Sequence, residues 1–480
     1  MDAVFECTRR AIFMTSLAML GAWYWALYPG MIIGADTSIM LSSVVGQDGY
    51  NAYSAFWNNF FGGLYALTGS LQVIPVFNMV LCAWTIANLL ALIEGAGIDR
   101  YLLGLLVFLL FFFPVLPSSA LLWSHDTTAA LLRLAIVSYA IWLCRTLGVS
   151  GRRASFGSAF ILSVLVAACA LTRSENLLLL VIVPCVMVYF RAFSWRTALA
   201  GFAVSALTIV LFSTAIERQL YRNESKIDYS LSLLANPARY FYNNDFVSTT
   251  RAADLALLEK VYDRDWLSGT RFPYAPYHTK GLVLKPIDEA TIRSLRSTLF
   301  SIAKQNPALV VQNRAILAWT VISGAPGADY HALNPGFDMN EQIKAMYLNS
   351  NQTALYDTVA KSAQYRPEKL YWVAQRIHTY FDPRREHRPL LARFVWTLIP
   401  ALACLFISLA GLRGRHPAAI TSLILLPCVA AVLLTAPAPH FKYLADVHVM
   451  GWFLPLLWYA ERKRQKRAAD PWPDKNAPDR

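Results

Sequence analysis

Uncharged apolar runs recur along this chain, and runs of that length leave a backbone few options. Tyr101 to Leu116 reads YLLGLLVFLLFFFPVL, and Leu177 to Phe190 reads LLLLVIVPCVMVYF. A stretch of ~17–25 apolar residues has the length of a membrane-spanning helix, because in hydrocarbon every backbone polar group must find its partner within the protein. Composition agrees. Of 480 residues, 56% are hydrophobic and only 15% charged, where a soluble protein carries roughly 25% charged residues. The pattern predicts an all-α polytopic membrane protein with about ten transmembrane helices. Spans are expected near residues 11–29, 71–93, 101–117, 127–144, 156–171, 177–190, 197–215, 390–411, 417–435 and 443–460. The first follows Arg9 and Arg10 as a signal peptide would. It ends in the bulky WYWALYPG without an A-x-A site, so it is expected to persist as a helix.

The formal net charge of +13 does not point to nucleic acid. Lys and Arg follow the ends of apolar blocks and do not form one stripe with aromatics. One set of alternate loops holds Arg9, Arg10, Arg100, Arg145, Arg152, Arg153, Arg191, Arg196, Arg413, Arg415 and the tail from Arg462 to Arg467. The other short loops hold little beyond Arg173 and Lys442. The positive-inside bias then places both termini in the cytoplasm, and an even number of spans closes the topology. The expected location is a plasma membrane, as in the bacterial inner membrane. All seven cysteines lie in or beside apolar segments. They form neither a disulfide framework nor a metal-ligand spacing, and read as small buried hydrophobes.

Residues 217–389 break the apolar pattern with polar, Tyr- and Asn-rich sequence. Asp288 to Gln305 is amphipathic, and the next segment enters a helix through Asn306-Pro307. Four parts are therefore expected. Residues 1–216 form an N-terminal module of about seven transmembrane helices. Residues 217–389 form a mainly α-helical, soluble extracytoplasmic domain. Residues 390–460 form a C-terminal module of three helices, and 461–480 a basic cytoplasmic tail.

The unusual polar residues gather in the outer loops: Asp36, then His125-Asp126, then Arg173 and Glu175, then His440 and Lys442. Arg133 lies two turns below Asp126, inside a span. Ionisable groups at membrane depth are costly and by default mark function. Several motifs here resemble the GT-C superfamily of membrane glycosyltransferases. YPGMIIGAD, ending in Asp36, is similar to the family's first-loop acidic pattern. WSHD, ending in Asp126, is similar to the second acidic site, and PHFKY before the last helix resembles a proline-then-basic-aromatic element. NAYSAFWNNFFGG stands where many relatives carry a His-Pro element.

The resemblance implies an enzyme that moves a sugar from a polyprenyl-phosphate donor to a cell-envelope glycan or glycolipid, such as a lipopolysaccharide, on the extracytoplasmic face. Asp36 would be the general base and Asp126 the second catalytic carboxylate. Lys442, Arg133 and Arg173 would hold the donor phosphate as negative charge develops on it. His125, Glu175 and His440 would contact substrate. Family members differ in metal dependence, so the cofactor is left unknown, with a divalent metal held by Asp36 and Asp126 compatible with oxygen-ligand chemistry. Plainer readings stand beside these. Asp36 and Asp126 suit helix N-caps, Arg173 and Glu175 a pair across a turn, and Lys442 an interface anchor. The aromatic run from Tyr50 to Phe61 suits either a helix in the headgroup plane or core packing. A flippase or transporter of lipid-linked sugars, and an outer-face glycan polymerase or ligase, are the competing functions.

Overall fold

A computed structural model describes the chain over residues 2–26, 55–70, 72–95, 98–112, 115–121, 124–150, 154–217, 226–268, 287–323, 372–373, 376, 398–413, 416–435 and 444–469. Every regular element among them is a helix. Three are long and apolar enough to cross a membrane: Val73–Glu94, His125–Leu147 and Trp195–Thr214. At 1.5 Å per residue, the 22 residues of the first reach about 33 Å, enough for a hydrocarbon core of about 30 Å. Further apolar helices, Phe156–Thr172, Ser174–Tyr189, Pro307–Ile322, Ile399–Leu412 and Ala418–Leu434, fall short of that length.

The N-terminal elements are α1 (Asp2–Ala26), α2 (Ala55–Thr68), α3 (Val73–Glu94), α4 (Arg100–Phe112), α5 (Val115–Leu121) and α6 (His125–Ser150). Then come α7 (Phe156–Thr172), a 3-10 turn (Ser174–Leu178), α8 (Leu179–Tyr189) and α9 (Trp195–Leu211), which runs into a π-helical turn at Phe212–Glu217. Hydroxyl caps start two of them: Ser155 Oγ accepts from the Ser158 N–H, and Ser194 Oγ from the Thr197 N–H. Within the block expected to span residues 101–117, the described residues form α4 and α5. On α2, Trp57 and Phe61 are only 1% exposed, their rings pack together, and Phe61 meets Phe77 of α3, so the core-packing alternative describes these two rings.

The C-terminal helices are α15 (Ile399–Leu412), α16 (Ala418–Thr435) and α17 (Ala445–Ala469). Helix α15 crosses α17 so closely that a Cβ on Gly451 would overlap the Pro400 carbonyl, which only glycine permits. Helix α6 is the axis of the bundle: 94% of its apolar window is buried inside the protein. It packs against α3, α7, α16 and α17.

Two charge pairs tie α6 to α17. Arg133 meets Asp446, and Arg145 meets Glu461. Residues 133 and 145 lie about 18 Å apart along α6, and 446 and 461 about 22 Å apart along α17, so the two helices run parallel. The bundle consequently has two chemically distinct poles. At one, Arg9 reaches the Asn88 amide at 3.3 Å, Arg145 pairs with Glu461, and Arg464 donates to the Leu92 carbonyl at the end of α3 at 2.8 Å. At the other lie the start of α6, the end of α7 and the start of α17.

Between α9 and α15, α10 (Lys226–Tyr242), α11 (Arg251–Val261), α12 (Arg264–Ser268) and α13 (Glu289–Gln305) bury a second core of Leu258, Tyr262, Leu295, Leu299 and Ile302. Asp288 caps α13, accepting the Thr291 N–H at 2.8 Å. Asn306 then ends it, and α14 (Pro307–Ser323) begins at the proline whose missing N–H costs a first turn nothing. The Asn306 side chain exchanges hydrogen bonds with Val247 in both directions, at 2.7 and 2.8 Å, which closes this unit on itself.

Candidate functional site

The pole formed by the start of α6 carries a dense polar cluster. Ser124 is the cap of α6: its Oγ accepts the Asp126 N–H at 3.2 Å, and its carbonyl accepts the Thr127 and Thr128 hydroxyls. Asp126 is thus not needed to cap its own helix. It is 3% exposed, and its carboxylate instead pairs with the guanidinium of Arg173, while His125 Nε2 approaches the same oxygen at 3.2 Å. An anionic side chain in this first turn is also favoured by the positive end of the helix dipole.

Arg173 sits where α7 stops. Its backbone N–H closes that helix on the Cys169 carbonyl at 3.1 Å, and its side chain bridges two carboxylates. One is Asp126. The other is Glu175 in the following 3-10 turn, reached by Nη2 at 2.5 Å and Nε at 3.3 Å. The Arg173 guanidinium supplies the countercharge that a largely buried Glu175 carboxylate requires. Asp126, Arg173, Glu175 and His125, separated by up to fifty positions, therefore share one cluster. With two carboxylates on one guanidinium, the described part of the cluster carries a formal excess of negative charge.

Arg133 is deeper and differently engaged. It is 1% exposed, and its Nε donates to Asp446 Oδ2 at 2.5 Å while Nη1 donates to Asn176 Oδ1 at 3.3 Å. Asp446 and Asn176 were not among the residues singled out from sequence. The signal for Asp446 is legible in hindsight: a carboxylate inside the last apolar block answers the need of a mid-helix arginine for a partner. A neighbouring network links Trp57 Nε1 to Thr128 Oγ1 at 3.2 Å, and Thr128 to Asn78 at 3.1 Å. Asp36, His440 and Lys442 lie outside the described residues. Among the described residues, no group of three or more His, Cys, Asp or Glu side chains is placed to hold a metal ion.

The arrangement suits holding hydroxyl groups against fixed carboxylates, and presenting one partly buried guanidinium to an anion that competes with them. No family model matches the chain, nor does any curated protein or solved structure.

Proposed function

We propose that this chain is an integral membrane glycosyltransferase of the GT-C type, taking sugar from a polyprenyl-phosphate donor to an envelope glycan or glycolipid. The observation that carries the reading is convergence. Asp126, Arg173, Glu175 and His125 come from two separate turns and meet at the pole opposite Arg9, Arg145 and Arg464. Positive-inside bias makes the arginine pole cytoplasmic, so the carboxylate cluster faces the side where sugars arrive on lipid carriers. In this reading ten spans alternate in direction: α1, α3, α4 with α5, α6, α7, the 3-10 turn with α8, α9, α15, α16 and α17. Residues 217–389 form the extracytoplasmic domain.

Chemically, Asp36 accepts the proton of the acceptor hydroxyl. Asp126, held in place by Arg173, orients that hydroxyl. Arg173, aided by Lys442, stabilises the departing lipid phosphate. Purified protein in nanodiscs, given polyprenyl-phosphate-linked hexoses and envelope glycolipid, should form a new glycosidic bond. Asp36→Asn should abolish turnover, and undiminished activity in that variant removes the base assignment. One observation favours a second reading, a transporter of lipid-linked sugars: the Arg133–Asp446 pair lies buried two turns below the outer cluster, a depth at which transporters place charge. Flux across vesicles without bond formation would select it.

A further inference from the structure

We infer that Arg133 is a positioning residue that holds the Arg173–Glu175 turn from beneath through Asn176, with Asp446 aiming it. The inference deepens the reading of the outer cluster as a substrate site, and only its functional arm rests on that reading.

Asp126 and Arg133 are seven residues apart, which is two turns of α6 and therefore one face. That face grips the turn at two points: the Asp126 carboxylate holds Arg173, and the Arg133 guanidinium holds Asn176, three residues further on. Between the grips lie Ala129 and Ala130, both buried and small. They let α7 approach until the Cys169 thiol meets the Ala129 carbonyl at 3.7 Å. Asn176 is fully buried and used at both ends of its amide. Its Oδ1 accepts from Arg133, and its Nδ2 donates to the Cys169 carbonyl at 3.2 Å. That carbonyl also receives the Arg173 N–H. Asn176 thus closes the end of α7 and fixes where Arg173 departs from it.

Asp446 supplies the opposing hold. Its Oδ2 takes the Arg133 Nε and its Oδ1 takes the Val447 N–H at 2.9 Å, so the carboxylate cannot swing. Arg133 divides its planar fork between a carboxylate on α17 and an amide in the turn. A lysine ammonium on a flexible stem reproduces the charge but not this two-way geometry. The same fork couples the cluster to Asp446 in the first turn of α17, four residues after Lys442 in sequence.

The test is hydrogen exchange on the full chain in nanodiscs, read by mass spectrometry. Asn176→Ala leaves the ion pair intact, and Arg133→Lys leaves its charge intact. Amides of residues 173–178 should exchange about tenfold faster in both, the factor expected from losing one hydrogen bond to a charged group. Exchange in α6 and α17 should stay as in the wild type. If Asn176→Ala does not fold, Arg133→Lys decides alone. Unchanged exchange over residues 173–178 in a folded variant overturns the inference whatever the activity does. With polyprenyl-phosphate-linked sugar, kcat should fall about tenfold while KM for the donor moves less than about threefold. A matched fall in the melting temperature and in kcat/KM, with exchange raised throughout α6, would make Arg133 merely structural and also overturn it. A wild-type protein without turnover overturns the glycosyltransferase reading and leaves the exchange result standing.

Discussion

Removing one member of the Arg133–Asp446 pair should cost far more stability than removing both. The two side chains are 1% and 0% exposed, with nitrogen and oxygen 2.5 Å apart. Charge centres about 4 Å apart attract by roughly 4 kcal/mol at an effective dielectric near 20. Desolvation costs several kcal/mol per ion, so the pair as a whole is close to neutral, while a lone buried charge keeps its cost and loses its compensation. Arg133→Met and Asp446→Leu should therefore each lose about 3–5 kcal/mol, a large part of a typical total of about 5–15. The double variant should return to within about 1 kcal/mol of the wild type. Tryptophan-monitored unfolding in one detergent, with all four proteins compared, measures the coupling. Single variants that each lose less than about 1 kcal/mol, or losses that simply add in the double variant, would refute the idea that these charges face each other away from water.

Three further outcomes follow from the same geometry. Gly451→Val should force α15 and α17 apart, since the obstacle is the Pro400 backbone carbonyl and not a movable side chain; a loss of about 1–3 kcal/mol or more is expected, and a melting temperature equal to wild type would contradict the crossing. His416 lies between α15 and α16, its Nδ1 accepting the Ala418 N–H and its ring 4.5 Å from Trp458. Burial first, then the Arg462 charge, pushes its pKa down to about 4 from 6.5, so the unfolded chain binds the extra proton between those values. Stability should be full above about pH 6.5 and fall by roughly 2–3 kcal/mol toward pH 4; His416→Gln should flatten that slope, and an unchanged slope would exonerate the imidazole. Arg173→Gln, which removes the guanidinium between Asp126 and Glu175, should lower the proposed glycosyl transfer by about 10²–10³-fold. Activity within twofold of wild type would remove Arg173 from the phosphate site.

Much of this architecture is written in the sequence at coarse grain. Apolar blocks mark where helices lie, and Asn306-Pro307 and Asp288 mark helix starts, because caps and proline act through local backbone chemistry. Lengths are less legible. Helix α8 is preceded by a 3-10 turn and α9 ends in a π-helical one, since hydropathy does not report where a ladder of hydrogen bonds changes pitch. The cluster of Asp126, Arg173, Glu175 and His125 was legible because charge at membrane depth is conspicuous. What each charge touches was not. Arg133 reads as a phosphate ligand beside Asp126 until the fold brings Asp446 against it from a remote helix. Asn176 carries no charge and no motif, and only packing reveals it.

The parallel pairing of α6 with α17 has a consequence for biosynthesis. Asp446 follows Arg133 by 313 residues, so at about 5–20 residues per second its counterion is made on the order of 15–60 s later. Throughout that interval a guanidinium intended for the interior has no carboxylate from the chain's last helix to meet. Placing α17 is then more than adding one helix among several. It is the step that neutralises the middle of the protein, and ribosomes that stall before it should yield a product that membrane proteases recognise by its stranded charge.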